Sequence, residues 1–249
     1  MDWRDTGFVL TARRHGESAL IVELLTEAHG RHAGLVRGGQ SPKRRALLQP
    51  GNLVAASWRG RLPEHLGAFE IELLRPHAAG LIDDPDRLAA LSSAAALTAL
   101  ALPEREPHRD VFAGLGALIA ALDSAEWAAQ YVAWECALLA ALGFGLDLKT
   151  CAATGVNDDL AYVSPRSGRA VSRSAGAAYH DKLLPLPGFL WRDMRAQGID
   201  IVAGLTLTEY FLYHHLLEPQ GRARPEARGR LAERMRRVAA TAQAGMIGA

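Results

Sequence analysis

Asn52-Leu53-Val54-Ala55-Ala56-Ser57-Trp58-Arg59 alternates strictly, with Val54, Ala56 and Trp58 on one face and Ala55, Ser57 and Arg59 on the other. A period of two is the signature of a strand buried on one side only. Leu66 to Leu74 repeats the pattern through Phe69, Ile71 and Leu73. Upstream, Gly7–Ala12 and Ala19–Thr26 are rich in apolar and β-branched residues, and His32–Val36 follows a turn signal at His29-Gly30. Glycines at 16, 30, 38, 39, 51, 60 and 67 punctuate these runs. Five short strands in about eighty residues fit a small closed barrel, because closure leaves no exposed edge. An SH3-like barrel would show the same alternation, so the pattern alone leaves the topology open.

Beyond residue 80 the period changes. Asp86–Leu102 is rich in Ala and Leu, with Leu88, Leu91 and Ala95 at helical spacing. Asp83-Asp84-Pro85-Asp86 supplies acidic caps at its start, and Pro103 and Pro107 end it. A cap explains these aspartates better than a metal site does. Arg109–Leu122 and Ser124–Leu142 are the next helices. The latter carries a stripe of Trp127, Tyr131, Trp134, Leu138 and Leu142 and is stopped by Gly143 and Gly145. From Asp147 to Leu186 helical periodicity is lost, and the segment reads as a loop-rich insert. Thr206-Leu207-Thr208-Glu209 matches a capping box that would open a helix carrying Tyr210, Phe211, His214 and Leu217. Pro219 ends it, and Pro225 opens a last basic helix running through Val238. The fold class is therefore α+β, in two to three parts: a β-barrel over residues 1–80, a mostly helical domain over 81–146 and 187–249, and the insert over 147–186.

The chain of 249 residues is 49% hydrophobic and 22% charged, which is ordinary for a folded domain. Two cysteines, Cys136 and Cys151, argue against a secreted disulfide scaffold. The opening Met1-Asp2-Trp3-Arg4-Asp5 has no apolar signal segment, and no apolar run is long enough to cross a bilayer. A cytoplasmic protein without membrane attachment is the expectation.

The net charge of +1 conceals two basic zones. Arg31, Arg37, Lys43, Arg44, Arg45, Arg59 and Arg61 fall in a window, 31–61, that contains no Asp or Glu. Within it, Gly38-Gly39-Gln40-Ser41-Pro42-Lys43-Arg44-Arg45 reads as a basic loop between the third and fourth strands. Three adjacent cations repel one another unless an anion lies against them, and a phosphate backbone supplies anions at regular spacing. The alternative is a solvated loop, and the acid-free window favours nucleic acid. Trp58 offers a ring for base stacking, but it shares a face with Val54 and Ala56 and reads as core. The second zone holds Arg222, Arg224, Arg228, Arg230, Arg234, Arg236 and Arg237 against Glu226 and Glu233. Arg230, Arg234 and Arg237 are spaced to share one helix face, as a second DNA contact, a dock for an acidic peptide, or simply a solvated surface.

Catalytic patterns are lacking. There is no His-Glu-x-x-His, no Walker A spacing and no nucleophile elbow around Ser164 or Ser167. Adjacent His214 and His215 would point about 100° apart on an α-helix and cannot share a metal in that geometry. No enzyme activity and no cofactor are expected.

The order of segments resembles the bacterial recombination mediator family RecO. The resemblance is carried by Gly7-Phe8-Val9-Leu10, Arg13-Arg14-His15-Gly16-Glu17, Ile21-Val22-Glu23-Leu24-Leu25-Thr26 and Gly30-Arg31-His32-Ala33-Gly34-Leu35-Val36-Arg37-Gly38-Gly39. It continues through Leu47-Leu48-Gln49-Pro50-Gly51, Leu138-Leu139-Ala140-Ala141-Leu142-Gly143-Phe144 and Ala161-Tyr162-Val163-Ser164-Pro165-Arg166-Ser167-Gly168-Arg169-Ala170-Val171. It implies that the barrel is a five-stranded OB-fold. It also implies binding of single- and double-stranded DNA, annealing of complementary strands and association with the nucleoid. The implied partners are RecR and the acidic tail of single-stranded-DNA-binding protein, and the implied role is loading recombinase onto coated DNA. DNA-binding residues expected on the barrel are Arg13, Arg14, Arg37, Lys43, Arg44, Arg45, Arg59 and Arg61. Many relatives carry two Cys-x-x-Cys pairs in the insert, which hold tetrahedral zinc. The matching positions here are Cys151, Thr154, Val171 and Ser174. With one thiol of four, and His180 the only added donor, no zinc is expected, and packing by Tyr162, Val163 and Val171 must hold the insert together. The rival roles are an RNA-binding OB protein and a scaffold for acidic proteins.

Overall fold

The computed structural model describes residues 1–247, with side chains described through residue 244. The chain divides into two compact units. The first comprises Met1–Ile119 with Pro225–Arg228, and the second Ala120–Arg224 with the chain from Gly229 onward.

In the first unit β1 (Asp2–His15), β2 (Ala19–Thr26), β3 (Gly30–Val36), β4 (Leu53–Arg59) and β5 (Ala68–Arg75) close a barrel in the order β1-β2-β3-β5-β4. This is the OB-like arrangement, and the architecture is α+β. All pairings are antiparallel except β3 with β5, which meet in parallel at Leu35–Ala68. The core is filled by the inward residues of every strand, including Val9, Leu20, Val22, Leu24, Val36, Val54, Ala56, Trp58 and Phe69. Trp58 is 2% exposed, and its indole N–H donates to the Leu66 carbonyl at 3.0 Å. A Cβ on Gly67, whose φ is +60°, would lie 2.5 Å from that indole, so only glycine lets the β4–β5 turn close over it.

β1 begins at Asp2, five residues before the run that the apolar pattern suggests. Its first residues, Asp2-Trp3-Arg4-Asp5-Thr6, are mostly charged or polar, which hides the strand in a reading by apolar content. The segment after β3 also differs from the sequence reading. Lys43, Arg44 and Arg45 sit on a short helix, α1 (Pro42–Leu47), and not on a loop. Pro42 occupies its first turn, where the missing N–H costs nothing. Leu47 and Leu48 tuck into the barrel core, and buried Asn52 donates to the Ala46 and Leu47 carbonyls at 3.2 and 3.0 Å. The same amide accepts from the N–H of Ala78, in α2 (His77–Gly80), at 3.1 Å.

α3 (Pro85–Ala101) is capped by Asp84, whose carboxylate accepts from the N–H groups of Asp86 and Arg87. The aspartate cluster thus serves as a helix cap. Arg31 is 8% exposed and joins β3 to the end of α3, donating to the Leu102 carbonyl at 2.9 Å and to Glu23 at 2.7 Å. α4 (Arg109–Ala121) follows.

In the second unit α5 (Trp127–Ala141) buries Tyr131, Trp134 and Leu138 as the stripe predicts, and Gly143, at φ +87°, follows its end. The insert is not only loop: β6 (Leu160–Val163), β7 (Ala170–Ser172) and β8 (Leu184–Pro185) form a sheet of order β7-β6-β8, with α6 (Arg173–Gly176) between β7 and β8 in the chain. Strands of four, three and two residues are too short to display alternation. α7 (Gly198–Phe211) starts eight residues before the expected capping box. Its start is fixed by Asp200, whose carboxylate accepts from the Gln197 N–H at 2.9 Å. Thr206 and Thr208 lie inside the helix, bonded to the carbonyls of Val202 and Gly204, and Thr208 also donates to buried Glu135 of α5. The chain widens into a π-helix over Leu212–Leu217, then a 3-10 turn, Glu218–Gln220, containing Pro219. α8 (Glu226–Ile247) runs well past Val238.

Because Trp58 fills the barrel and its N–H is satisfied internally, Trp58→Ala is expected to lower the unfolding free energy by about 3–5 kcal/mol. Urea titration of the full chain checks this, and a loss below about 1 kcal/mol would contradict the assigned role.

Candidate nucleic-acid interface

The pairing register places the outward residues of the barrel in rows. Asp2 of β1 lies opposite Arg59 of β4, Arg59 opposite Ala68 of β5, and Ala68 beside Leu35 of β3. In the next row Arg4 lies opposite Ser57, and Ser57 opposite Glu70. Between the rows, inward Trp3, Trp58 and Phe69 pack as one aromatic group, Trp3 and Trp58 with centroids 5.9 Å apart and rings 16° from parallel. His29 stacks on Trp3 at 4.2 Å and is held by Asp5, whose carboxylate lies 2.9 Å from Nδ1. Trp58 and Phe69 are almost fully buried and Trp3 and Leu35 half-buried, so the fully exposed side chains on this face are the charged ones.

These outward residues line a groove of about 760 Å³, which also takes in Arg37 beyond β3 and Arg44 from α1. The groove therefore gathers Arg37, Arg44 and Arg59 of the expected set and adds Arg4, which the sequence reading missed. Extending the β4-type alternation back through Asp2-Trp3-Arg4 would have exposed it. Arg13, Arg14, Lys43, Arg45 and Arg61 are exposed but lie outside the groove lining. The segment leading to α1 is tied to the β1–β2 turn through Gln40, whose amide donates to Gly16 and Ala19 at 3.0 and 3.1 Å.

None of these nine cations forms an ion pair among the described residues, although the chain pairs many of its other arginines. The second basic zone is built differently. Arg237 is paired with Glu233 at 3.1 Å, Arg236 reaches the same carboxylate at 3.5 Å, and Arg228 is buried. Arg230 is exposed and Arg234 half-buried.

At the degenerate zinc positions, Cys151 is buried and its sulfur accepts from the Ser172 N–H at 3.2 Å. Burial pushes this thiol up, but hydrogen bonds from Ser172, Thr154 and backbone amides outweigh it and bring it down to about 6. Cys136 is half-buried, and desolvation, with the charge of neighbouring Glu135 adding to it, pushes its thiol up to about 12. Val163 and Val171 are buried and Tyr162 is half-buried in the insert sheet. No group of three or more His, Cys, Asp or Glu able to hold a metal occurs among the described residues. His214 bonds Glu218 at 2.7 Å, while His215 stacks on Phe211.

The family profile "Recombination protein O N terminal" matches residues 1–77, and "Recombination protein O C terminal" matches residues 82–224. The chain belongs to the RecO family. It is 52% identical to the DNA repair protein RecO of Rhodospirillum rubrum over 248 residues, covering 96% of this chain and 98% of that one. To the DNA repair protein RecO of Rhodospirillum centenum it is 54% identical over 243 residues, 97% of each chain. The RecO protein of Chelativorans sp. is 50% identical over 242 residues, 96% of this chain and 97% of that one. It is thus a RecO-family DNA repair protein, and no helix among its described residues is long and apolar enough to cross a membrane.

Beneath the groove, His32 of this RecO-family barrel packs edge-on against Trp3, Trp58 and Phe69 and is 4% exposed. Burial, aided by the charges of Arg105 and His29, holds its pKa below the ordinary 6.5, against the opposing pull of the Ala33 carbonyl and Glu104. The fold therefore favours the neutral ring. The unfolded chain takes up a proton near pH 6.5 that the folded chain takes up only at lower pH, so this site's stability is present above pH 6.5 and is lost as pH falls below it. The urea midpoint is expected to fall between pH 7 and pH 5, and to fall less in a His32→Asn variant. Equal falls in both proteins would show that His32 is not the group responsible.

Proposed function

We propose that this chain is a DNA-binding recombination mediator. It binds single- and double-stranded DNA through the barrel and anneals complementary strands. With RecR, it helps load recombinase onto DNA coated by single-stranded-DNA-binding protein. The observation that carries this reading is a set of four exposed cations without ion pairs among the described residues, Arg4, Arg37, Arg44 and Arg59, gathered around a single groove of an OB-like barrel. An arginine kept for stability is usually given a carboxylate, as Arg31 is. Cations held together without one are stabilised when they bind a polyanion and release the counterions condensed on it. Family membership supplies the context of DNA repair.

The eight cations Arg13, Arg14, Arg37, Lys43, Arg44, Arg45, Arg59 and Arg61, together with Arg4, form the proposed DNA surface. Arg37, Arg44, Arg59 and Arg4 line its floor and walls, and the others extend it. Arg230, Arg234 and Arg237 form a second basic zone whose anionic partner is DNA or the acidic tail of single-stranded-DNA-binding protein. The role needs binding and release and no bond-making chemistry. A cytoplasmic, nucleoid-associated protein fits it.

Replacing Lys43, Arg44 and Arg45 together by Ala is expected to weaken single-strand binding. It should also flatten the plot of log affinity against log salt by about 2, since each phosphate contact on a single strand contributes about 0.7 to the slope. Binding measured over a salt series, with thermal unfolding as a check on the fold, tests this. An unchanged slope in a folded variant would remove α1 from the interface. Competition by RNA of matched sequence separates the DNA reading from an RNA-binding role.

A further inference from the structure

The groove on the barrel holds two carboxylates that a surface for phosphates alone does not need. Asp2 and Glu70 are both exposed, both line the groove, and neither forms an ion pair among the described residues. In a purely phosphate-binding groove each would repel the ligand. Their positions follow from register. Glu70 and Arg4 flank Ser57 from the two neighbouring strands, and Asp2 flanks Arg59 in the adjoining row. Strands lie about 4.8 Å apart, so Arg4 and Glu70 are rooted about 10 Å from each other, with the short Ser57 side chain between. Two long side chains rooted that far apart can close on one flat group from either side. Rigid Trp58 and Phe69 beneath the floor fix both backbones.

The chemistry of that row runs from donor to acceptor. A guanidinium only donates and a carboxylate only accepts, while the hydroxyl between them does either. The Watson–Crick edge of cytosine runs the complementary way, with two acceptors, O2 and N3, followed by the N4 amino donor. Thymine presents acceptor, donor, acceptor, so its O4 would face a carboxylate in place of an amino group. That edge is free only in an unpaired base, because in duplex DNA it is spent on the opposite strand. We propose, on the reading that this groove binds DNA, that Arg4, Ser57 and Glu70, with Asp2 beside them, form a base-edge site for single strands that favours cytosine over thymine. Arg37, Arg44 and Arg59 hold the flanking phosphates.

The test compares short fluorescent oligo-dC and oligo-dT by anisotropy at one salt concentration and pH 8. Both are pyrimidines with weak stacking, so the edge chemistry is the main difference between them. Oligo-dC is expected to bind about fivefold more tightly or better, the lower end of what one good base-edge contact supplies. In an Asp2→Ala, Glu70→Ala variant the two affinities should come within about twofold of each other, and neither should fall below the wild-type affinity for oligo-dT. Lys43→Ala should weaken both oligonucleotides alike. Equal binding of the two by the wild type, or a preference for oligo-dT, overturns the inference while leaving DNA binding intact. So does a double variant that binds both more tightly but keeps their ratio, since the acids would then act only as local charge. Failure of the wild type to bind either oligonucleotide at low salt overturns the DNA-binding reading itself, and this inference with it.

Discussion

Trp58 decides which way the barrel's fourth strand faces. Its ring fills the core and its N–H is bonded to the Leu66 carbonyl, so a slip of one residue would expose a large apolar side chain and bury Ser57 or Arg59 in its place. With that strand fixed, pairing fixes the rest. Trp3 pairs with Trp58 and turns Asp2 and Arg4 outward on one side. Phe69 pairs with Trp58 and turns Ala68 and Glu70 outward on the other. The glycines at the β4–β5 turn serve the same constraint. A Cβ on Gly60 or Gly67 would run into the indole, so the turn closes tightly over the ring. The groove is therefore a consequence of core packing, and its charges are placed by side chains they never touch.

How the chain treats its arginines separates structural from functional positions better than their number does. Arg31 lies in the acid-free window, yet it is buried, bonded to Glu23 and to the Leu102 carbonyl, and it joins the barrel to α3. Sequence proximity counts it with Arg37, and geometry removes it. Breaking such a buried pair strands a carboxylate and costs about 3–5 kcal/mol. The groove arginines carry no comparable structural duty: Arg4, Arg37, Arg44 and Arg59 are exposed. On the proposed reading, loss of one of them would alter binding and its salt dependence, with little change in stability. In the C-terminal zone Arg236 and Arg237 share one glutamate, Glu233, which partly neutralises that face.

Much of this was legible in the sequence, and the remainder failed for identifiable reasons. The alternation through Trp58 and Phe69 shows two strands and their inward faces directly. The stripe through Tyr131, Trp134 and Leu138 shows α5, and Asp84 its role as a cap. What escaped was decided by tertiary contacts. α1 is six residues long and is held by Leu47, Leu48 and Asn52 docking on the barrel, with no periodicity of its own to display. The threonines of Thr206-Leu207-Thr208-Glu209 satisfy the letter of a capping box, but their hydroxyls bond back to carbonyls one turn earlier. The true start lies at Gln197 and Asp200, where a glutamine cap is a weak sequence signal. Arg4 was missed because the opening of its strand, Asp2-Trp3-Arg4-Asp5-Thr6, is mostly charged or polar and does not look apolar. Asp2 and Glu70 were missed because carboxylates outside the basic window read as irrelevant to it, whereas the register brings them across two strands into its centre.

That convergence bears on how a mediator must hold its ligand. Binding by phosphate contacts alone reads charge density and not whether any given base is paired, and its strength is set largely by salt. A protein that handles unpaired strands and then gives them up to pairing benefits from contacts that pairing itself removes. A Watson–Crick edge lying against Arg4, Ser57 and Glu70 is such a contact, since the complementary base competes for the same hydrogen bonds. The surrounding arginines would continue to hold the backbone as the edge is surrendered, so the strand stays bound while its bases become available. On this view the carboxylates in the groove weaken the grip on phosphate slightly, and in return make the hold on a base depend on its being unpaired.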